Sequence, residues 1–468
     1  MNLRHFSATL LAATIATPAL GQTITQTDNE WFEAGQARIQ SELAKQQNTN
    51  TAKNVILMVA DGNGVGTNYA TRLFMGQQDG GYGDEYVMPY ETFPHLGFAK
   101  VYNVNAQTPD SAGTGTAMMG GVKTKAGLIG VTADVDRGDC STLPGNTVTG
   151  ISEILHGMGK STGFVTTARV THATPASTYA KTVDRNFEDD SELPENCNTQ
   201  TDIATQLIDA MDSGLIQVAM GGGARHFVPT DEELLVGGTG RRTDDQNLIE
   251  EATELGAYHA YDNASFADAP TDGTPLLGLF ESSHMMYSAD RYDEPSIADM
   301  AEAAVESLSN DEDGFFLQVE SGRVDHANHA GNLARVVHDG AAFAEAVDRV
   351  VNMVDLSETL VIVTADHEHA IAFNGYCGRG SDILGLCMGI DGSGVEHTGE
   401  PRLGSDDKPY TVAGYLNGPG SVLMKREDGS YSGSRPEVSE AQATDIDYIQ
   451  QALVPRSSET HAGPDVAI

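Results

Sequence analysis

The stretch NVILMVADGNGVG, residues 54 to 66, reads as a fully buried strand that stops on an acid, Asp61, and turns at once through glycine into a helix. Two further stretches repeat the form: FFLQVES, residues 315 to 321, reaches Glu320, and TLVIVTADHEHA, residues 359 to 370, reaches Asp366. Apolar runs of about six residues without alternation mark strands covered on both faces, as in an open parallel sheet. Ligands bind such sheets beyond the carboxyl ends of the strands, so three of them side by side aim three acids at one spot. Acids that close need a cation.

The flanking residues supply the rest of a site. VDHANH places Asp325, His326 and His329 within about one helical turn, and DHEHA sets His367 beside Asp366. Imidazole mixed with carboxylate suits zinc, whereas oxygen ligands alone favour magnesium or calcium, so the residues point to more than one metal. A fourth strand-like run, STGFVTTA from 161 to 168, precedes His172, Thr174 and Arg185. Singly these read as a surface histidine, a strand threonine and an arginine paired with an acid. In TPDSAGTGTAMMGG, residues 108 to 121, Pro109 and Asp110 suit a helix start and the small residues let backbone approach a bound group. Ser111 would then sit at a helix N-terminus facing an anion. A serine is a poor nucleophile without a base or a metal, and alone the motif reads as a capped helix.

The 468 residues, 40% hydrophobic, can bury the core of one large α/β domain carrying insertions. Residues 1 to 21 have a basic start at Arg4 and His5, an apolar run, and small residues at Ala19 and Gly21, the pattern of a secretory signal peptide. Nothing later is apolar for the length of a membrane span, so the mature chain, from residue 22, is expected to be exported, periplasmic or secreted. Export makes the four cysteines disulfide candidates: Cys377 and Cys387 are close enough to staple one loop, leaving Cys140 with Cys197, although sequence alone permits three pairings. With 27 basic and 67 acidic residues the formal charge is -40, which repels nucleic acid and anionic membranes and reads as a solvated surface suited to high salt. Calcium-binding repeats would be another use for the acids, but their spaced motifs are missing. A phosphate ester would also be repelled, unless metals and an arginine reverse the field locally.

Taken together, DGNG, TPDSAGTGTA, HATPA, VESGRVDHANH and VTADHEHA resemble, in order and spacing, the alkaline phosphatases, from about residue 54 almost to the end. The HATPA and DHANH forms are similar to the animal-type branch; the enteric bacterial one tends to aspartate and lysine where His172 and His326 stand. The resemblance implies a three-layer α/β/α sandwich around a large, mostly parallel sheet, and a two-zinc, one-magnesium phosphomonoesterase, commonly a homodimer. By motif, Asp61 bridges the second zinc and the magnesium, Asp366 and His367 complete that zinc beside Ser111, and Asp325, His329 and a third histidine hold the first zinc. Thr174 and Glu320 join Asp61 at the magnesium, Asp110, His172 and His326 lie just outside the ligands, and Arg185 matches the phosphate-clamping arginine.

His397 and His461 both qualify as the third histidine; in the family it follows a segment like YTVAGYLNGPGSV, residues 410 to 422, and only His461 does. Residues 376 to 408 then resemble a crown-like surface insertion. The resemblance further implies a C-terminal strand and helix beyond Ile468, absent from this chain, and a peripheral calcium site with Glu281 and Glu294 as candidate ligands. Asn63 replaces a methionine usual in the family, with little expected effect on chemistry. The function expected is hydrolysis of small phosphate monoesters, with broad tolerance of the leaving group, through a phosphoserine. The rivals are a phosphodiesterase or sulfatase of the same superfamily, and a secreted metal-binding relic without activity.

Overall fold

A computed structural model describes residues 25–46 and 48–468; the expected signal peptide lies outside the described residues. Two compact units are distinguished, 1–49 and 50–468. The first contains helix α1, Glu30–Ala44, whose N-terminus is capped by Asn29 Oδ1 accepting from the Trp31 N–H.

The second unit is built on a seven-stranded parallel sheet of β1 (Asn54–Ala60), β2 (Ser161–Arg169), β3 (Val218–Gly222), β4 (Tyr258–Ala260), β5 (Leu276–Leu279), β6 (Phe315–Ser321) and β7 (Thr359–Thr364). Their order is β4-β5-β3-β2-β6-β1-β7. The four strands anticipated from their apolar runs are therefore contiguous, β2-β6-β1-β7. Register fixes the alignment: Val59 lies opposite Glu320 on one side and Thr364 on the other, and Thr166 lies opposite Glu320.

Successive side chains of a strand point to opposite faces, and each face has its own core. On one, Ile56, Met58, Val165, Val218 and Val319 pack with residues of α5 (Ile297–Leu308) and α7 (Leu333–Met353). On the other, Phe164, Ala219 and Leu277 pack with Ile203, Leu207 and Met211 of α4 (Ile203–Asp212). This is the α/β/α sandwich. Its seam of apolar positions on α7 starts after Asn332, whose side chain accepts from the Arg335 N–H at 2.9 Å and closes the helix end.

Three helices begin just beyond the sheet's carboxyl edge: α2 (Val65–Gln78) after β1, α3 (Ser111–Gly120), and α6 (Arg323–His329) after β6. Gly62, at φ 70, makes the turn out of β1; a Cβ there would lie 2.4 Å from His369 Nε2. Further along, His461–Ala462 pairs antiparallel with Glu368–His369, placing His461 opposite His369. Residues 376 to 408 contain the hairpin Met388–Ile390 with His397–Pro401, stapled by Cys377–Cys387, and Cys140 is bonded to Cys197. Among the described residues no helix is long and apolar enough to cross a membrane.

Candidate active site

Strand ends and helix starts bring the anticipated residues to one place. Ser111 opens α3, behind Asp110, whose carboxylate accepts from the Ala112 N–H at 3.2 Å and so caps the helix. The Ser111 hydroxyl stands 3.3 Å from His367 Nε2. The same nitrogen lies 3.2 Å from Asp61 Oδ1 and 3.5 Å from Asp366 Oδ2. Asp366 is held from two sides, by the Gly62 N–H at 3.1 Å and by the Thr114 hydroxyl, one turn after Ser111, at 3.1 Å.

Asp61 has no such help. It is completely buried and neither of its oxygens meets a hydrogen-bond donor; Thr174 Oγ1 and Glu320 Oε1 are likewise buried without partners. Burial, then the charges of Asp366, Asp325 and Glu320, push the Asp61 carboxyl well up, and burial lifts Glu320 to about 7. Buried acids without donors are costly as bare anions and suit bound cations. Oxygen ligands at Asp61, Thr174 and Glu320 fit a hard ion, while Asp61, Asp366 and His367 add an imidazole.

A second pocket lies alongside. His461 Nδ1 donates to the Pro109 carbonyl at 2.9 Å, and His329 Nδ1 donates to the Glu459 carbonyl at 2.6 Å. Each ring's Nε2 is thereby left as a lone pair, since a neutral imidazole carries one N–H. Those two lone pairs face each other at 3.0 Å, with Asp325 Oδ1 3.3 Å from His329 Nε2 and 3.2 Å from His461 Nε2. Three acceptors with no hydrogen between them repel unless a cation sits among them. Although burial opposes it, the N–H that His369 gives to Asp325 Oδ1 at 2.8 Å helps hold that carboxyl well below the usual range. His397 takes no part: it lies in the hairpin, where its Nδ1 accepts from the Gly399 N–H at 3.0 Å.

The side of the site around Arg185 carries arginines and histidines. Arg185 Nη1 donates to Asp110 Oδ1 at 2.7 Å and Nη2 to His172 Nε2 at 2.9 Å. Burial notwithstanding, Arg185 and the Gly127 N–H bring Asp110 down to about 2. His172, His284 and His326 cluster with ring centroids 4.0 to 5.4 Å apart. Arginines hold their acceptor nitrogens: Arg323 Nη1 donates to His326 Nδ1 at 3.2 Å, and the Arg169 backbone N–H to His284 Nδ1 at 3.2 Å. Burial pushes His172 and His284 well down and His326 to about 3, so the rings are neutral. Three guanidiniums thus stand around neutral imidazoles, Arg185 paired with Asp110 and Arg169 with Glu188.

The alkaline phosphatase family model matches residues 52–468. The chain belongs to the alkaline phosphatase family. It is 39% identical over 453 residues to the alkaline phosphatase of Gadus morhua, covering 94% of this chain and 91% of the relative. The tissue-nonspecific isozyme of Felis catus is 37% identical over 454 residues, covering 94% and 83%. Among solved structures, Thermus thermophilus alkaline phosphatase superposes with TM-score 0.58 at 27% identity, covering 72% of this chain and 64% of that one. Alkaline phosphatases are metal-dependent hydrolases of phosphate monoesters, and the pockets above are where this chain's residues fit metal ions.

Several participants carry no signal that sequence reading picked up. His369 is fully enclosed and bridges Asp325 Oδ1, at 2.8 Å, to Glu459 Oε2, at 2.6 Å. Thr114, His284 and Arg169 are the others. The candidate calcium ligands stand elsewhere: Glu294 Oε1 accepts from Arg291 Nη1 and the Met286 N–H, each at 2.8 Å, while Oε2 is buried without a partner. Glu281 Oε2 accepts from the Ser282 N–H at 3.3 Å, and neither acid belongs to the clusters of the active site.

Proposed function

We propose that the chain hydrolyses small phosphate monoesters of varied leaving group through a phosphoserine at Ser111. Two zinc ions would be held by Asp325, His329 and His461 and by Asp61, Asp366 and His367, and a magnesium ion by Asp61, Thr174 and Glu320. The observation that carries this reading is the pair of imidazole lone pairs at 3.0 Å sharing Asp325, next to a serine 3.3 Å from a third imidazole nitrogen.

When bound, the cations supply neutralisation of the clustered acids, an acidified serine hydroxyl and water, and stabilisation of charge on the leaving oxygen. The protein's own groups do the positioning. Asp110 aims Arg185, whose forked N–H groups grip two non-bridging phosphate oxygens. Ser111 Oγ attacks phosphorus as the bond to the alcohol oxygen breaks; the alcohol leaves with a proton and the phosphoryl group remains on Ser111. Water then attacks phosphorus from the vacated side, the Ser111 Oγ–P bond breaks, and Ser111 regains a proton as phosphate departs. Two in-line displacements retain configuration. Because the enclosing residues engage the phosphoryl group rather than the alcohol, selectivity among esters is low. We further propose export, a homodimer, and a calcium ion near Glu281 and Glu294, in keeping with the family resemblance.

The test is metal analysis combined with Ser111→Ala. The wild type should bind about two zinc ions per chain, and the variant should keep them while losing turnover of nitrophenyl phosphate by orders of magnitude. A variant that still turns over, or a wild type that prefers the matching diester, overturns the assignment.

A further inference from the structure

Glu459 makes four contacts of a kind that fix other residues, although it is itself 1% exposed and far along the chain from all of them. Its backbone carbonyl takes the His329 Nδ1–H at 2.6 Å, and its N–H donates to the His329 carbonyl at 2.9 Å. Its carboxylate takes the His369 Nδ1–H through Oε2 and the Ala370 N–H through Oε1, both at 2.6 Å. His369 in turn gives its other N–H to Asp325 Oδ1 at 2.8 Å. Glu459, His329 and His369 thus face one another as donors and acceptors, a hydrogen-bonded node rather than a further cation site. One residue therefore orients two members of the His329, Asp325 and His461 pocket, one through its backbone and the other through a carboxylate–imidazolium–carboxylate chain.

We propose that Glu459 is a positioning residue that sets how tightly this pocket holds its cation and how well the leaving oxygen is stabilised there. The proposal rests on the zinc reading given above. The oxygen that His369 touches, Asp325 Oδ1, is the one shared with His329 and His461. An N–H on that oxygen pins its direction, and groups that orient a ligand in this way typically govern affinity. His369 cannot hold its own orientation: the antiparallel bridge to His461 fixes its backbone, not the rotation of its ring. Without the Glu459 carboxylate, the ring loses the acceptor that keeps its far edge on Asp325, and the Ala370 N–H keeps only the Thr460 carbonyl, at 3.1 Å. The His329 contact survives, since it is to backbone. The defect should fall on Asp325 alone.

The experiment compares wild type, Glu459→Ala, Glu459→Gln, His369→Ala and the double variant. Zinc affinities are measured by competition with a chromogenic chelator, and turnover with nitrophenyl phosphate and with an alkyl phosphate. In Glu459→Ala one zinc should weaken about 10- to 100-fold and the other hold as in wild type. Its alkyl phosphate turnover should fall about tenfold further than nitrophenyl phosphate turnover, because the poorer leaving group leans harder on that cation. Glu459→Gln, which keeps one acceptor, should fall between, and Glu459→Ala should add little in a His369→Ala background. Wild-type affinity in Glu459→Ala, equal weakening of both zincs, equal losses with the two esters, or additivity with His369→Ala overturns the proposal. A wild type that binds no zinc overturns the function itself.

Discussion

Replacing Glu188 by glutamine should unfold the protein earlier at neutral pH and make a much smaller difference in acid. Arg169, at the end of β2, meets this acid at two points, Nε to Oε2 at 2.7 Å and Nη2 to Oε1 at 2.6 Å. The Thr171 hydroxyl adds a donor at 2.6 Å, and His226 Nε2 stands 3.4 Å away. Burial works against the ionised form, but Arg169, His226 and Thr171 outweigh it and bring the carboxyl from 4.5 to about 2. That fall corresponds to about 3 kcal/mol in favour of the folded, ionised state, at 1.36 kcal/mol per pH unit. Glutamine keeps the volume and leaves the guanidinium largely buried beside a neutral partner, so the loss should be of that order. Because the folded value is depressed, the contribution is whole above pH 4.5 and drains away as pH falls toward about 2; by pH 3 about 2 of the 3 kcal/mol is gone. Urea midpoints of both proteins, stripped of metal by chelator, at pH 7 and pH 3 measure the gap. Equal midpoints at pH 7, or a gap as wide at pH 3, would refute the reasoning.

Three other outcomes are expected. In Gly113→Ala the new Cβ would lie 1.9 Å from Asn103 Nδ2, and Asn103 Oδ1 holds the Asp110 N–H at 3.1 Å. Overpacking of about 1–3 kcal/mol should therefore reach the serine, lowering kcat while zinc content stays; wild-type turnover would contradict this. Cys140→Ser opens a cross-link spanning 57 residues and should cost about 4 kcal/mol, against about 3 for Cys377→Ser with its span of 10; thermal melts giving the reverse order would count against the chain-entropy account. Finally, with a formal charge of -40, the melting temperature should rise as potassium chloride is increased from about 0.15 M to about 2 M, and a flat response would remove the salt-adapted reading of the surface.

What could be read from the chain was whatever is written locally. An apolar run ending on an acid encodes both the strand and the place where its last side chain emerges, so Asp61, Glu320 and Asp366 could be found without knowing which strands are neighbours. Ser111 was legible for a similar reason, through a capping acid and small residues within one turn. Arg185 and His461 came from motif resemblance rather than chemistry, since each depends on partners 75 and 132 residues away, Asp110 and His329. His369 and Glu459 stayed hidden because their role exists only where two remote segments pair: the acid lies 90 residues after the histidine, and no periodicity links them. His284 is in an irregular segment after β5 and meets Arg169 from 115 residues off. Local pattern names the ends of elements, whereas orientation of one side chain by another belongs to tertiary contact.

The hydrogen bond from His461 to the carbonyl of Pro109 spans 352 positions, from the segment preceding the nucleophile almost to the end of the chain. Two of the three acceptors of that pocket, Asp325 and His329, lie four residues apart on one helix, whereas the third imidazole comes from 132 residues further on. A nascent polypeptide would thus lack a complete pocket until His461 has been made and folded back, and the docking of that one ring would join cation capture and competence in a single event.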